Sequence, residues 1–284
     1  MIKKTFAALA FFALAMFAGR AALADKYPEL NSQRFFLDKA SHAARPGGGG
    51  ASNLSYHNGP VIHSARVVSI FWGPSWGTGG ADSATASHVV SFFNQFGSSS
   101  HWLPITQYGD TAGKVQTTSL GNTTWFDSST PPANVTDAIV QQEVLTYLAQ
   151  PGVTFDASTI YEVFLPRTSY SSNGTSTSCG GPSLAYCAYH GNFGSTFGDV
   201  KYASMPFPSC SGCISNSAWS DGQNIDHFAC HETREAVTDP DGTGWWDRRG
   251  NEADDKCAWT PSPFLDGIYG YQYEWSNAVG GCVQ

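Results

Sequence analysis

The chain has 284 residues, of which 41% are hydrophobic and 14% aromatic but only 13% charged, with 30 glycines and a formal net charge of −8. Few Lys and Glu beside many Gly, Ser, Thr and aromatic residues suit short strands and long ordered loops better than a helical bundle. Fifteen basic against 23 acidic residues leave no basic stripe to neutralise phosphates, which argues against nucleic acid and anionic membrane surfaces as partners.

Lys3 and Lys4, the apolar run of residues 6–18 and the small residues of Ala22-Leu23-Ala24 read as a secretory signal peptide over residues 1–24. The run is shorter than the ~20 residues of a membrane span. The expected protein is therefore secreted, extracellular or periplasmic, and makes no membrane contact. The signal holds three of the fifteen basic residues and no acidic one, so 12 basic and 23 acidic residues remain, a formal charge of about −11. Residues 25–54 are expected to be a flexible lead, ending in Arg45-Pro46-Gly47-Gly48-Gly49-Gly50. With no repeat and no second linker, residues 55–284 are expected to form one domain and a monomer.

Val67-Val68-Ser69-Ile70-Phe71-Trp72 is a near-continuous apolar run that predicts a buried central strand, stopped by Gly73-Pro74. Residues 83–96 predict a helix, with Asp82 or Ser83 as cap, and residues 115–124 a strand. Residues 134–148 predict a second helix and 159–165 a second apolar strand, while 186–190 and 200–205 alternate like a hairpin. Strands alternating with helices imply an α/β (α+β) fold around a mixed sheet.

Seven cysteines in an exported chain point to disulfides. Local spacing pairs Cys179 with Cys187 around a Gly-Gly-Pro turn, Cys210 with Cys213, and Cys257 with Cys282. Cys230 is left as a buried thiol serving as a small apolar residue.

A third helix is predicted over residues 222–238, capped by Ser220 or Asp221 and ended by Asp239-Pro240. His231 and Glu235 are four apart, so both face one side and can converge on one cation, with Glu232 beside them as general base. This is the spacing logic of His-Glu-x-x-His zinc peptidases, with Glu in place of the second His. The extra carboxylate weakens the metal as a Lewis acid, which implies slower hydrolysis or a harder metal than zinc. The five-residue pattern alone arises by chance in on the order of a few per cent of chains this long. Glu252 follows after a Gly-rich turn as a candidate third ligand, and Asp255 as acceptor for the other ring N–H of His231. His227, one turn earlier, is an alternative ligand to Glu235. His190, Tyr202 and Trp245 are candidates for a substrate cleft, with packing roles as the alternative, and the strand around 202–205 is a candidate edge for strand addition. Residues 239–247 resemble the start of a calcium loop but place Gly250 where the bidentate Glu belongs, so calcium is at most a structural ion there. Asn53, Asn122, Asn134 and Asn173 lie in glycosylation sequons.

Tyr56-His57-x-Gly59-Pro60-Val61, Phe71-Trp72-Gly73-x-x-Trp76 and His231-Glu232-x-x-Glu235-Ala236-Val237-Thr238-Asp239-Pro240 together resemble the phosphate-induced protein family that includes plant EXORDIUM. Cys179-Gly180, Tyr189-His190-Gly191, Tyr202 to Pro206, Glu252-x-x-Asp255-x-Cys257 and Glu274-Trp275-Ser276-Asn277 to Cys282 extend the resemblance over residues 55–284. This chain departs from the family pattern at Thr233-Arg234, where Leu and a variable residue are usual. The resemblance implies a zincin-like fold and, for its bacterial members, a zinc-dependent peptidase. For its plant members it implies an extracellular binding or signalling protein without an assigned reaction. A protein or peptide is the expected partner in the first case.

Overall fold

The structure is a computed structural model that describes residues 33–44 and 52–284. The predicted signal and the glycine tract lie outside the described residues. Six strands build the main sheet: β1 (Gln33–Leu37), β2 (Arg66–Trp72), β3 (Gly121–Asp127), β4 (Thr159–Phe164), β5 (Tyr186–Gly194) and β6 (Asp199–Met205). Their spatial order is β1-β5-β6-β4-β2-β3. β6, β4, β2 and β3 run parallel to one another, whereas β5 is antiparallel to both β1 and β6. The fold is thus mixed α/β, as the alternation of elements implies.

Helices cover both faces. α1 (Ser83–Phe96) and α3 (Asp221–Thr238) lie on one face, and α2 (Asp137–Leu148) on the other. Side-chain alternation along the strands divides the core accordingly. Val67, Phe71, Ile160, Phe164 and Ala203 face α1 and α3, whereas Val68, Ile70, Tyr161, Val163 and Tyr202 face α2. β4 is buried at every position, as expected for a parallel strand covered on both sides.

Residues 33–44 correct the expectation of a flexible lead. Gln33–Leu37 is the edge strand of the main sheet, and Lys39–Ala44 a short helix after it. Phe36 is fully buried, so this segment closes the core instead of trailing from it. The strand expected at 115–124 begins only at Gly121, and helix α2 starts at Asp137 after the short strand Asn134–Thr136.

Two of the three disulfide pairings are also corrected. The bonds are Cys179–Cys210, Cys187–Cys213 and Cys257–Cys282. The Cys-x-x-Cys segment is brought up against β5 and the loop before it, so each of its cysteines bonds to a partner 26 or 31 residues away. Cys230 is buried and unpaired, and burial pushes its thiol pKa up to about 12, which keeps it an inert neutral group. Among the described residues no helix is long and apolar enough to cross a membrane.

Candidate metal centre

Helix α3 carries an unusual burden: every residue from Asn224 to Thr238 is buried, although the stretch includes Asp, His, Glu, Thr and Arg. Burying polar groups is costly unless they are partnered, so the partners of these side chains decide what the helix can do. The helix starts with a full capping box. Ser220 Oγ accepts the Gln223 N–H, while Gln223 Oε1 accepts the Ser220 N–H.

His231 is oriented from behind. Gln272 donates through Nε2 to the backbone oxygen and Oδ1 of Asp254, at 2.9 and 2.8 Å, so its Oε1 is an acceptor. That Oε1 lies 3.1 Å from His231 Nδ1 and fixes the tautomer, leaving the Nε2 lone pair free. The Phe36 ring stacks on the imidazole at 4.2 Å. Gln272, not Asp255, therefore plays the orienting part. Asp255 sits on the opposite side of the ring, 3.9 Å from Nε2.

The same glutamine removes His227 as a ligand. His227 Nε2 faces both Gln272 Oε1 and the Ala258 carbonyl, and Nδ1 faces Ser215 Oγ at 2.6 Å. Both ring nitrogens are used. Burial pushes its pKa down to about 3, with the neighbouring His231 adding to the effect, so the ring stays neutral.

Around the free face of His231 the acids gather. Glu235 Oε2 stands 3.0 Å from His231 Nε2, yet the imidazole nitrogen has no aligned hydrogen bond. Ligand atoms held ~2.0–2.2 Å from one cation lie on the order of 3–4 Å from each other, which is the spacing seen here. Donor atoms of His231, Glu235 and Asp255 lie within 4.8 Å of one another, and so do those of His190, Glu232 and Glu235. Glu235 Oε1 also accepts the Asp255 N–H at 2.8 Å, tying helix to loop.

His190, on β5, belongs to this cluster and does not line a cleft. Its Nδ1 is 2.9 Å from Glu232 Oε2 and its Nε2 is 3.7 Å from Glu252 Oε1. Glu252 Oε2 is 3.9 Å from Arg34 Nε, which also stands 3.5 Å from Asp239. His190 Nε2, His231 Nε2, Glu232 Oε1 and both oxygens of Glu252 are buried without an aligned hydrogen-bond partner. Burial, then the charges of Glu235 and its acidic neighbours, push the Glu232 and Glu252 pKa values well above the ordinary range. Burial and the nearby Arg34 and His231 push His190 well below its own. Burial thus favours the neutral forms of these acids and of the imidazole.

Thr233 and Arg234 also have structural roles. Thr233 Oγ1 donates to Glu162 Oε1 at 2.6 Å, partnering a fully buried acid on β4 whose pKa burial pushes up to about 8. Arg234 is buried between Asp254, with which it is doubly bonded, and Glu274 at 2.8 Å, and it donates to the His101 carbonyl at 3.0 Å.

The other predicted positions fall elsewhere. Tyr202 is on the α2 face of an interior strand, where its hydroxyl donates to Asp137, so it neither lines the site nor offers a free edge. Trp245 pairs with Tyr56 in a two-stranded ladder, donates its indole N–H to the Gly109 carbonyl and packs on Tyr108. In the suspected calcium loop, Asp241 is occupied by Thr243, Asp239 by Gly244 and Asp247 by Lys256 and Asn251. A cleft of ≈480 Å³ opens on the β1 side, where Arg34, Tyr186 and Asp255 are part of its wall.

Sequence reasoning missed Arg34, Phe36 and Gln272. Phe35-Phe36 beside a polar lead was the one available signal, and nothing marks a lone Gln272. Comparison with protein-family models, with curated proteins and with solved structures finds no match to this chain.

Proposed function

We propose that this chain is a secreted, zinc-dependent metallopeptidase whose centre is built on α3, with a zincin-like active-site helix and kinship to the EXORDIUM-like proteins. The observation that carries the reading is the group of buried, unpartnered ring nitrogens and carboxylate oxygens from His190, His231, Glu232 and Glu252. Three disulfides accord with an oxidising compartment.

His231, Glu235 and Asp255 are the proposed ligands, with Glu252 in the adjoining position; their nitrogen and oxygen donors suit zinc or a somewhat harder dication. When bound, the ion supplies Lewis acidity that acidifies water and polarises a carbonyl. Glu232 acts as the base. His190 holds its Oε2, so Oε1 is left to take a proton from water and deliver it to the departing amine nitrogen as the C–N bond breaks. Among the described residues the outer edge of β1 is unpaired and lies beside the cleft, and an extended peptide can add to it as a further strand.

The test joins metal content to proteolysis. Native protein should carry zinc, and Glu232→Gln should keep it while cutting peptide hydrolysis by ~10²–10⁴-fold. Metal-free native protein that is indifferent to chelator would sink the reading. One observation favours a second reading, a non-catalytic extracellular protein with a structural metal: the ligand candidates are almost wholly shielded from solvent. In that case the wild type binds metal, gains stability from it and cleaves nothing.

A further inference from the structure

We propose that the cleft beside β1 is an apolar subsite, and that the peptides cut are those with a bulky aromatic or aliphatic side chain next to the scissile bond. Phe35 and Leu37 set this specificity. This rests on the peptidase reading and names the class of substrate for it.

β1 turns two unlike faces to its surroundings. Side chains alternate along a strand, so Arg34 and Phe36 point to the α3 side. There Arg34 stands 3.9 Å from Glu252 and the Phe36 ring stacks on His231. Gln33 and Phe35 point to the α2 side, where Gln33 donates to Asp137 and the Phe35 ring lies 5.0 Å from that of Tyr186 and 5.2 Å from that of Tyr189. Leu37 follows on that side, where its strand partner is Tyr186. The cleft takes its wall from both sides, with Arg34 and Asp255 from the first and Phe35, Leu37, Ala185 and Tyr186 from the second.

Each part reads a different feature of a peptide. No described strand pairs with the outer edge of β1, so its backbone can align an extended chain whatever the sequence of that chain. The Trp259 indole N–H takes the Leu37 carbonyl at 3.0 Å, so the run open to an added strand is the stretch before it. Side chains of the added strand alternate in turn, and a residue facing Asp255, beside the centre, has neighbours facing Phe35. Of the residues in the cleft wall, Arg34 and Asp255 are the charged ones, and both belong to the α3 side. Tyr186 turns its ring to the cleft, since its hydroxyl is engaged by Ser171 Oγ at 3.1 Å. A Lys or Glu side chain entering the α2 part would lose water and meet no opposite charge, whereas Leu or Phe gains by leaving water. A Gly leaves that part unfilled.

Zinc-loaded wild-type protein incubated with a mixture of random peptides, with the cuts mapped by mass spectrometry, provides the test. The cut sites should share Phe, Tyr or Leu at one fixed position beside the cut, with kcat/KM ~10–100-fold above that for Gly there. Phe35→Ser and Leu37→Ser should each shrink that ratio about threefold or more, chiefly through KM for the apolar peptide. Phe35→Asp should turn the preference towards Lys or Arg, a gain that a misfolded variant cannot imitate. Cuts with no shared apolar neighbour overturn the subsite and leave the peptidase standing. An apolar preference that all three variants keep unchanged overturns its assignment to this cleft. Hydrolysis of no peptide by the wild type overturns the peptidase reading and the subsite together.

Discussion

Helix α3 buries two acidic clusters, and they are built on opposite principles. Beneath it, Asp254 and Glu274 close on Arg234, and although burial works against the guanidinium charge, the two carboxylates raise its pKa above the ordinary value. Beside it, Glu232 and Glu252 face His190, Glu235 and Asp255 face His231, and Arg34 stands 3.9 Å from Glu252 while it also engages Asp239. The first cluster is complete in the sense that the Arg234 guanidinium touches each carboxylate, one cation between two acids whose pKa values burial pushes up. The second, on the reading proposed above, is completed by a bound cation. A buried carboxylate is thus informative about ligands only after its protein partners have been counted.

The largest effect should come from unbalancing the complete cluster. Arg234→Met should cost ~3–5 kcal/mol in chemical denaturation, since it strands two buried carboxylates. A loss below about 1 kcal/mol would show that the pairing matters little. Gln272 links the clusters, bonding Asp254 on one side and His231 on the other. Gln272→Leu should lower zinc affinity ~10–100-fold by calorimetry while leaving Glu232 in place.

A third acidic pair, on the far side of the sheet, supplies the control. Burial, reinforced by Asp127, pushes the Glu143 pKa up to about 8. Because the unfolded chain releases this proton near pH 4.5 and the folded chain near 8, the wild type loses stability as pH rises through that window. Glu143→Gln should therefore gain on the wild type from pH 4.5 to 8, reaching ~1–2 kcal/mol, whether or not chelator is present. Equal gains at pH 4 and 8 would refute the raised pKa. The smallest effect belongs to the open cluster: in chelator, Glu235→Gln should cost less than ~1 kcal/mol, because it removes like-charge repulsion and keeps an oxygen for the Asp255 N–H. A loss as large as that of Arg234→Met would erase the distinction between the clusters.

The helix, its cap and the two central strands were legible because each has a strong local signal: a capping box for α3 and unbroken apolar runs for β2 and β4. The Tyr186–Met205 hairpin was legible from its alternation. β1 was not, since five residues beside a glycine tract carry no periodicity, and only the waiting edge of β5 makes Gln33–Leu37 a strand. The crossed disulfides escaped for a similar reason, because sequence spacing favours near neighbours while the fold brings distant cysteines together. In the site, the pattern on α3 pointed to His231, Glu232 and Glu235. Arg34, His190 and Gln272 come from three remote segments, and only tertiary packing brings them in. Charged residues such as Arg234 and Asp254 look like solvated surface in a sequence, since burial of such groups depends on partners that have no local signature.

The position of β1 also sets a timetable. Phe36, which covers the His231 ring, is made early, yet its strand pairs with Tyr186–Gly194 and its ring packs on α3. Gln272, which aims that ring, lies 236 residues further along the chain (272 minus 36). A growing chain therefore holds no assembled centre until synthesis has passed Gln272. If the centre cuts peptides, a nascent chain short of Gln272 lacks the group that aims His231, and activity waits until these distant segments meet in the fold.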